Sequence, residues 1–109
     1  MVSRIWQPFA ALITAGDVRI SEHGYDALAD VGLTIDEFLV GAGSAVVFEG
    51  YPDSPKGAAV LSLQRAVSGS PVHAVWGAPR GYNRPVVLVT AYKPDPTLWD
   101  ETFTRRFRP

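Results

Sequence analysis

The stretch Thr34–Tyr51, TIDEFLVGAGSAVVFEGY, contains the point at which the chain changes period. Its first half reads as a helix. Thr34 and Glu37 have capping-box spacing, in which each side chain satisfies a backbone donor at the other's position, and Leu33 and Phe38 flank them as a hydrophobic staple. This predicts a helix from Thr34 to about Val40, ended by Gly41 and Gly43. After Ser44 the pattern turns extended. Ala45–Tyr51 is rich in valine and aromatic residues, and Pro52-Asp53-Ser54-Pro55-Lys56-Gly57 behind it is a turn-forming cluster. Gly41-Ala42-Gly43-Ser44 follows a helix instead of preceding one, so its amides do not form a helix-start phosphate site.

Upstream, Ile5, Phe9, Leu12 and Ile13 recur at helical spacing and predict a helix over Ser3–Ala15 that stops at Gly16. Pro8 either kinks it or marks its true start. Asp17–Ile20 has room for a short extended piece. Ser21 offers an N-cap to a second helix, with Tyr25, Leu28 and Ala29 as its buried stripe and Gly32 as its stop. Downstream, Ala59, Leu61 and Leu63 alternate with Val60, Ser62 and Gln64, and two further runs, Val72–Trp76 and Val86–Tyr92, read as strands. Asp95-Pro96 opens a short turn or helix through Trp99, which reads as a core plug. Strands joined by short turns pair antiparallel, because parallel neighbours need a crossover of about a dozen residues. The expected fold is α+β, with the N-terminal helices on one face of a four-stranded antiparallel β-sheet.

The 109 residues fit a single domain, and their 47% hydrophobic and 19% charged content is that of a chain able to bury a core. No apolar run approaches the ~20 residues a membrane helix needs, and Met1–Ala15 does not resemble a secretory signal, so no membrane partner and a cytoplasmic location are expected. Cysteine is absent, which excludes thiolate chemistry and disulfides. Two histidines fifty positions apart give no metal-ligand spacing, so neither a metal nor a cofactor is expected. The net charge of −1 hides a split. Arg4 and Arg19 face eight acids in residues 1–53, giving −6; eight bases face Asp95, Asp100 and Glu101 in residues 54–109, giving +5.

Five strings carry a family resemblance: Ile20-Ser21-Glu22-His23, Gly32-Leu33-Thr34, Gly50-Tyr51-Pro52, Val72-His73-Ala74-Val75, and Thr90-Ala91-Tyr92-Lys93-Pro94 followed by Trp99. In this order they resemble a bacterial family, the domain of unknown function 4258, over about residues 12–99, leaving residues 100–109 as a basic C-terminal tail. That family in turn looks related to the RelE-like and barnase-like ribonucleases. The resemblance implies such a fold here, a toxin-type origin, RNA as substrate and a cognate antitoxin as partner. The family commonly has arginine where this chain has Val31.

Metal-free RNA cleavage needs a base for the 2′-OH proton, an acid for the leaving oxygen and cations for the phosphate. His23, in the first turn of a helix, is one candidate, since the positive end of the dipole favours the neutral imidazole. His73 is a second; it falls opposite Val72, Ala74 and Trp76 on its strand. Tyr92 matches the family's tyrosine and is a candidate proton donor. Arg65, at a strand end, with Lys93 and Arg84, are candidate phosphate contacts. Each has a plainer alternative: a helix-start histidine packed on a strand, an ordinary strand histidine, a tyrosine anchoring a strand end, solvated cations. The tail Arg105-Arg106-Phe107-Arg108 mixes cations with a ring and reads either as a nucleic-acid contact or as a solvated terminus. The functional expectation is an RNA-interacting domain, a metal-independent ribonuclease of toxin type. The alternatives are a protein-binding module on the same scaffold, supported by Val31, the near-neutral charge and exposed aromatics expected at Trp6, Tyr82 and Phe107, or a decayed toxin.

Overall fold

A computed structural model describes residues 2–106; the expectations placed on Phe107 and Arg108 lie outside them. The chain order is α1 (Val2–Thr14), β1 (Val18–Ile20), α2 (Glu22–Val31), α3 (Ile35–Ala42), β2 (Val46–Tyr51), β3 (Ala59–Arg65), β4 (Pro71–Gly77) and β5 (Val86–Tyr92). The class is α+β, but the four-stranded antiparallel sheet is overturned. Five strands lie in the order β1-β5-β4-β3-β2, and β1 pairs parallel with β5, with Val18 opposite Val86 and Ile20 opposite Leu88. The short-turn argument holds only for consecutive strands, and β2 to β5 do form an antiparallel meander. β1 reaches β5 through most of the chain, so no turn announces the pairing, and three residues are too few to show an alternation.

One face of the sheet carries the three helices. Val60 of β3, Val72, Ala74 and Trp76 of β4, and Val86, Leu88 and Ala91 of β5 meet Phe9, Ala27, Leu28, Phe38 and Ala42 in one core. Trp76 and Phe38 are both fully buried and stack at 5.4 Å between ring centroids. Trp6, expected in solvent, is half-buried and lies 6.3 Å from Trp76, because α1 runs on through Pro8 and lays its apolar side on the sheet. Between Val75 and Trp76 the pairing with β5 slips by one residue at Val89, which lets Leu88 and Ala91, three apart, face the same side. Among the described residues, no helix is long and apolar enough to cross a membrane.

The docking of α2 explains a second correction. Its buried residues are Gly24, Ala27 and Leu28, whereas Tyr25 is half-exposed and Ala29 faces solvent. Ser21 caps the helix by accepting from the Gly24 amide at 2.9 Å, and its hydroxyl donates to the Val89 carbonyl at 3.0 Å. The first turn is thereby pressed onto the backbone of β5, and the helix rolls so that its small residues face the strand. A Cβ at Gly24 would lie 2.8 Å from the Leu88 carbonyl oxygen. Gly24→Ala should therefore destabilise the fold by about 1–3 kcal/mol through overpacking, despite the ~1 kcal/mol by which alanine favours a helix interior. Urea denaturation checks this; unchanged or increased stability would contradict the close approach.

Candidate functional site

The opposite face of the sheet builds a second, smaller cluster around His73. The strand register sets Leu63, His73 and Tyr92 side by side on β3, β4 and β5. From β2, a bulge between Val47 and Glu49 lets two consecutive residues, Phe48 and Glu49, reach this same side. The cover comes from the C-terminal segment. Residues 95–106 fold back across the sheet and bury Trp99, with Arg105 and Arg106 exposed as the sequence led one to expect. The Trp99 ring stands edge-on to His73 at 4.5 Å and to Phe48 at 5.6 Å, and Phe48 lies 5.0 Å from His73.

His73 is wholly enclosed, and both of its ring nitrogens are engaged. Nε2 lies 2.7 Å from the Phe103 carbonyl oxygen and Nδ1 lies 3.3 Å from the Tyr92 hydroxyl. A carbonyl only accepts, so Nε2 carries the hydrogen; Nδ1 is left with a lone pair that accepts from Tyr92. Burial pushes the imidazole below its ordinary pKa of 6.5, opposed by the Phe103 bond and by Glu49, and assisted by Arg106. Burial also pushes the Tyr92 phenol up, so it stays a donor at neutral pH.

A charged network borders this cluster. Arg106 grips Glu49 with both terminal nitrogens, the Nη2 contact at 3.2 Å, and its guanidinium lies 4.6 Å from the centroid of Trp99. Tyr51 donates to the same carboxylate, and its phenol is pushed up by burial and by Glu49. Arg65 donates to the Gly69 carbonyl at 3.4 Å and stands over the Phe103 ring at 5.7 Å.

Of the residues singled out from the sequence, the structure brings together His73 and Tyr92, with Arg65 joined to them through Phe103. It separates the others. His23 is exposed in the first turn of α2, on the helix layer, with the sheet between it and His73. Lys93 is exposed beside Gly32, Leu33 and Glu37, where α2 gives way to α3. Arg84 is ion-paired with Asp17 before the start of β5, eight residues and ~25 Å of extended chain from Tyr92. Sequence reasoning missed Glu49, Tyr51 and Phe103, and named Arg106 only within the tail Arg105–Arg108. Glu49 had a signal, since a lone carboxylate inside an apolar strand needs a partner; nothing local marked Phe103. Among the described residues, no three His, Cys, Asp or Glu side chains gather where they could hold a metal.

A family model described as "Domain of unknown function (DUF4258)" matches residues 20–93. The chain belongs to this family. No curated protein and no solved structure matches it. The matched range includes His73, Tyr92 and Glu49 of the DUF4258 domain, and stops short of the C-terminal segment that covers them.

The burial of His73 has a consequence for stability. Because its folded pKa lies below its ordinary value, the unfolded chain binds a proton that the native chain refuses, so native stability must fall as pH drops below about 6.5. The titratable and charged groups facing the ring are Tyr92, Glu49 and Arg106. The stability advantage of wild type over His73→Gln should shrink on acidification from about pH 7.5 to about 5.5, by at most ~1.4 kcal/mol per pH unit for one proton. Urea melts of both proteins across that range check it, and a pH-independent difference would contradict a neutral, enclosed imidazole.

Proposed function

We propose that this DUF4258 domain interacts with RNA through the outer face of its sheet and is a metal-independent endoribonuclease of toxin type. One observation supports the reading above others: an imidazole and a phenol are hydrogen-bonded to each other on the face that also carries Arg65 and Arg106. Phosphodiester cleavage by the neighbouring 2′-OH needs these group types. In this reading the hydrogen of the neutral His73 ring shifts to Nδ1, facing the Tyr92 oxygen, and the lone pair left on Nε2 takes the 2′-OH proton. Tyr92, held protonated by burial, supplies a proton to the departing 5′-oxygen, while Arg65 and Arg106 offset charge on the phosphate. The products are a 2′,3′-cyclic phosphate and a free 5′-hydroxyl. His23, Lys93 and Arg84 lie away from this centre and supply none of its groups.

A second reading, a protein-binding module with an antitoxin-like partner, draws on a different part of the same face. Ala59, Val75, Val87 and Val89 line a hollow next to Lys56 and Pro79 that the C-terminal segment leaves uncovered, and Tyr82 stands in solvent nearby.

Incubation of the purified full chain with single-stranded RNA in chelator separates these readings. The ribonuclease reading expects cyclic-phosphate ends, and a loss of at least ~100-fold in rate for His73→Ala. Intact RNA, or full activity in His73→Ala, would contradict it. Activity lost in His23→Ala instead would move the centre to the helix layer.

A further inference from the structure

The C-terminal segment is attached in an unusual way. Every backbone–backbone hydrogen bond formed by residues 95–106, among the described residues, stays inside the segment: Leu98 and Trp99 donate to Asp95, Phe103 to Asp100, and Asp100 to Arg105 at 2.8 Å. Its side chains reinforce this closure. The Asp95 carboxylate accepts from the amide and hydroxyl of Thr97, and the Asp100 carboxylate does the same for Thr102. The segment is therefore a preformed loop that adds no strand to the sheet. It can leave without opening any backbone pairing.

What holds it down is a short set of contacts, and each falls on a group of the candidate centre. Trp99 covers the His73 ring. The Phe103 carbonyl occupies Nε2, and Phe103 has the only positive φ, 59°, among the described non-glycine residues, a conformation costly for so bulky a side chain. The Phe103 ring sits under Arg65, and Arg106 is tied to Glu49. The strain at Phe103 persists because the bond to His73 and the ion pair fix both sides of it. Glu49 holds Arg106 with the two oxygens a phosphate would present, so a polyanion competes directly for that guanidinium. The segment also lies wholly beyond the range matched by the family, residues 20–93.

We propose that residues 95–106 are an autoinhibitory strap. Closed, it seals the His73 imidazole with Trp99 and the Phe103 carbonyl, while Tyr92 keeps an exposed edge. RNA opens it when a backbone phosphate takes Arg106 from Glu49, which frees Nε2 and uncovers the imidazole. The identity of the opening ligand rests on the RNA reading above; the strap itself rests on its bonding pattern.

Carbethoxylation of the full chain with diethylpyrocarbonate, read at each histidine by mass spectrometry, tests the strap, and exposed His23 serves as the internal reference. In the wild type His73 should react at least about tenfold more slowly than His23, through strap opening instead of global unfolding. Trp99→Ala and the isosteric Glu49→Gln should both bring His73 close to the His23 rate while the urea midpoint still reports a folded protein, and RNA cleavage should rise in step. Should Trp99→Ala fail to fold, Glu49→Gln carries the test alone. A His73 rate that stays at the global-unfolding limit in Glu49→Gln overturns the strap. Faster modification with slower cleavage overturns the inhibitory role and makes the segment part of the active centre. Faster modification with no cleavage or RNA binding by any variant overturns the RNA reading and leaves the strap as a cover only.

Discussion

A buried imidazole has two nitrogens to satisfy, and the outer half of this molecule is arranged around that requirement. His73 is fully enclosed on a central strand, where an unpaired ring nitrogen would cost about 1–3 kcal/mol. Tyr92 satisfies one nitrogen because the β4–β5 register places it opposite. No neighbouring strand can satisfy the other, since their amides and carbonyls lie in the plane of the sheet. Phe103 supplies the missing acceptor, and for that the chain must return over the sheet after β5. Trp99, Arg106 and Glu49 follow from the return: once the segment is there, its ring fills the space above His73 and its arginine finds the strand carboxylate.

The two faces of the sheet accordingly solve different problems. The helix face is largely apolar, built on the Phe38–Trp76 stack, although the Gln64 Oε1 and Trp76 Nε1 atoms are buried there without a partner. Gln64 spends its amide group on the Phe38 carbonyl and fixes the end of α3 to β3. That face is about holding the fold. The outer face keeps its polar groups paired, His73 with Tyr92 and Tyr51 with Glu49 between strand residues, and the rest through side-chain bonds to a loop with no share in the sheet ladder. Such contacts exchange at lower cost than backbone pairing.

Much of the architecture was legible in local patterns. The Thr34–Glu37 capping box forms as its spacing requires, with reciprocal bonds of 3.0 and 3.1 Å, and the helix it starts runs to Ala42, two residues beyond the expected end. β3, β4 and β5 follow from their alternation and turns. What local patterns cannot carry is pairing between distant segments. The three residues of β1 show no period, and only their partner β5 makes them a strand. Residues 95–106 have no periodicity either, and their order comes from Asp–Thr turns and from His73. The same limit governs the site. His73 and Tyr92 stood out one by one, but their adjacency depends on register, and Arg106 reaches Glu49 across 57 positions of sequence. His23, Lys93 and Arg84 were drawn by residue type alone, and the fold distributes them over other surfaces.

The state of the His73 ring is the point on which the outer face stands. Long-range proton–nitrogen correlation spectra of the ¹⁵N-labelled chain at neutral pH report it directly. The structure requires a single neutral tautomer for His73 with the hydrogen on Nε2 and a bare, accepting Nδ1, distinct from the spectrum of exposed His23. A hydrogen on Nδ1, or a ring averaging between forms, would mean that Phe103 does not seal the imidazole.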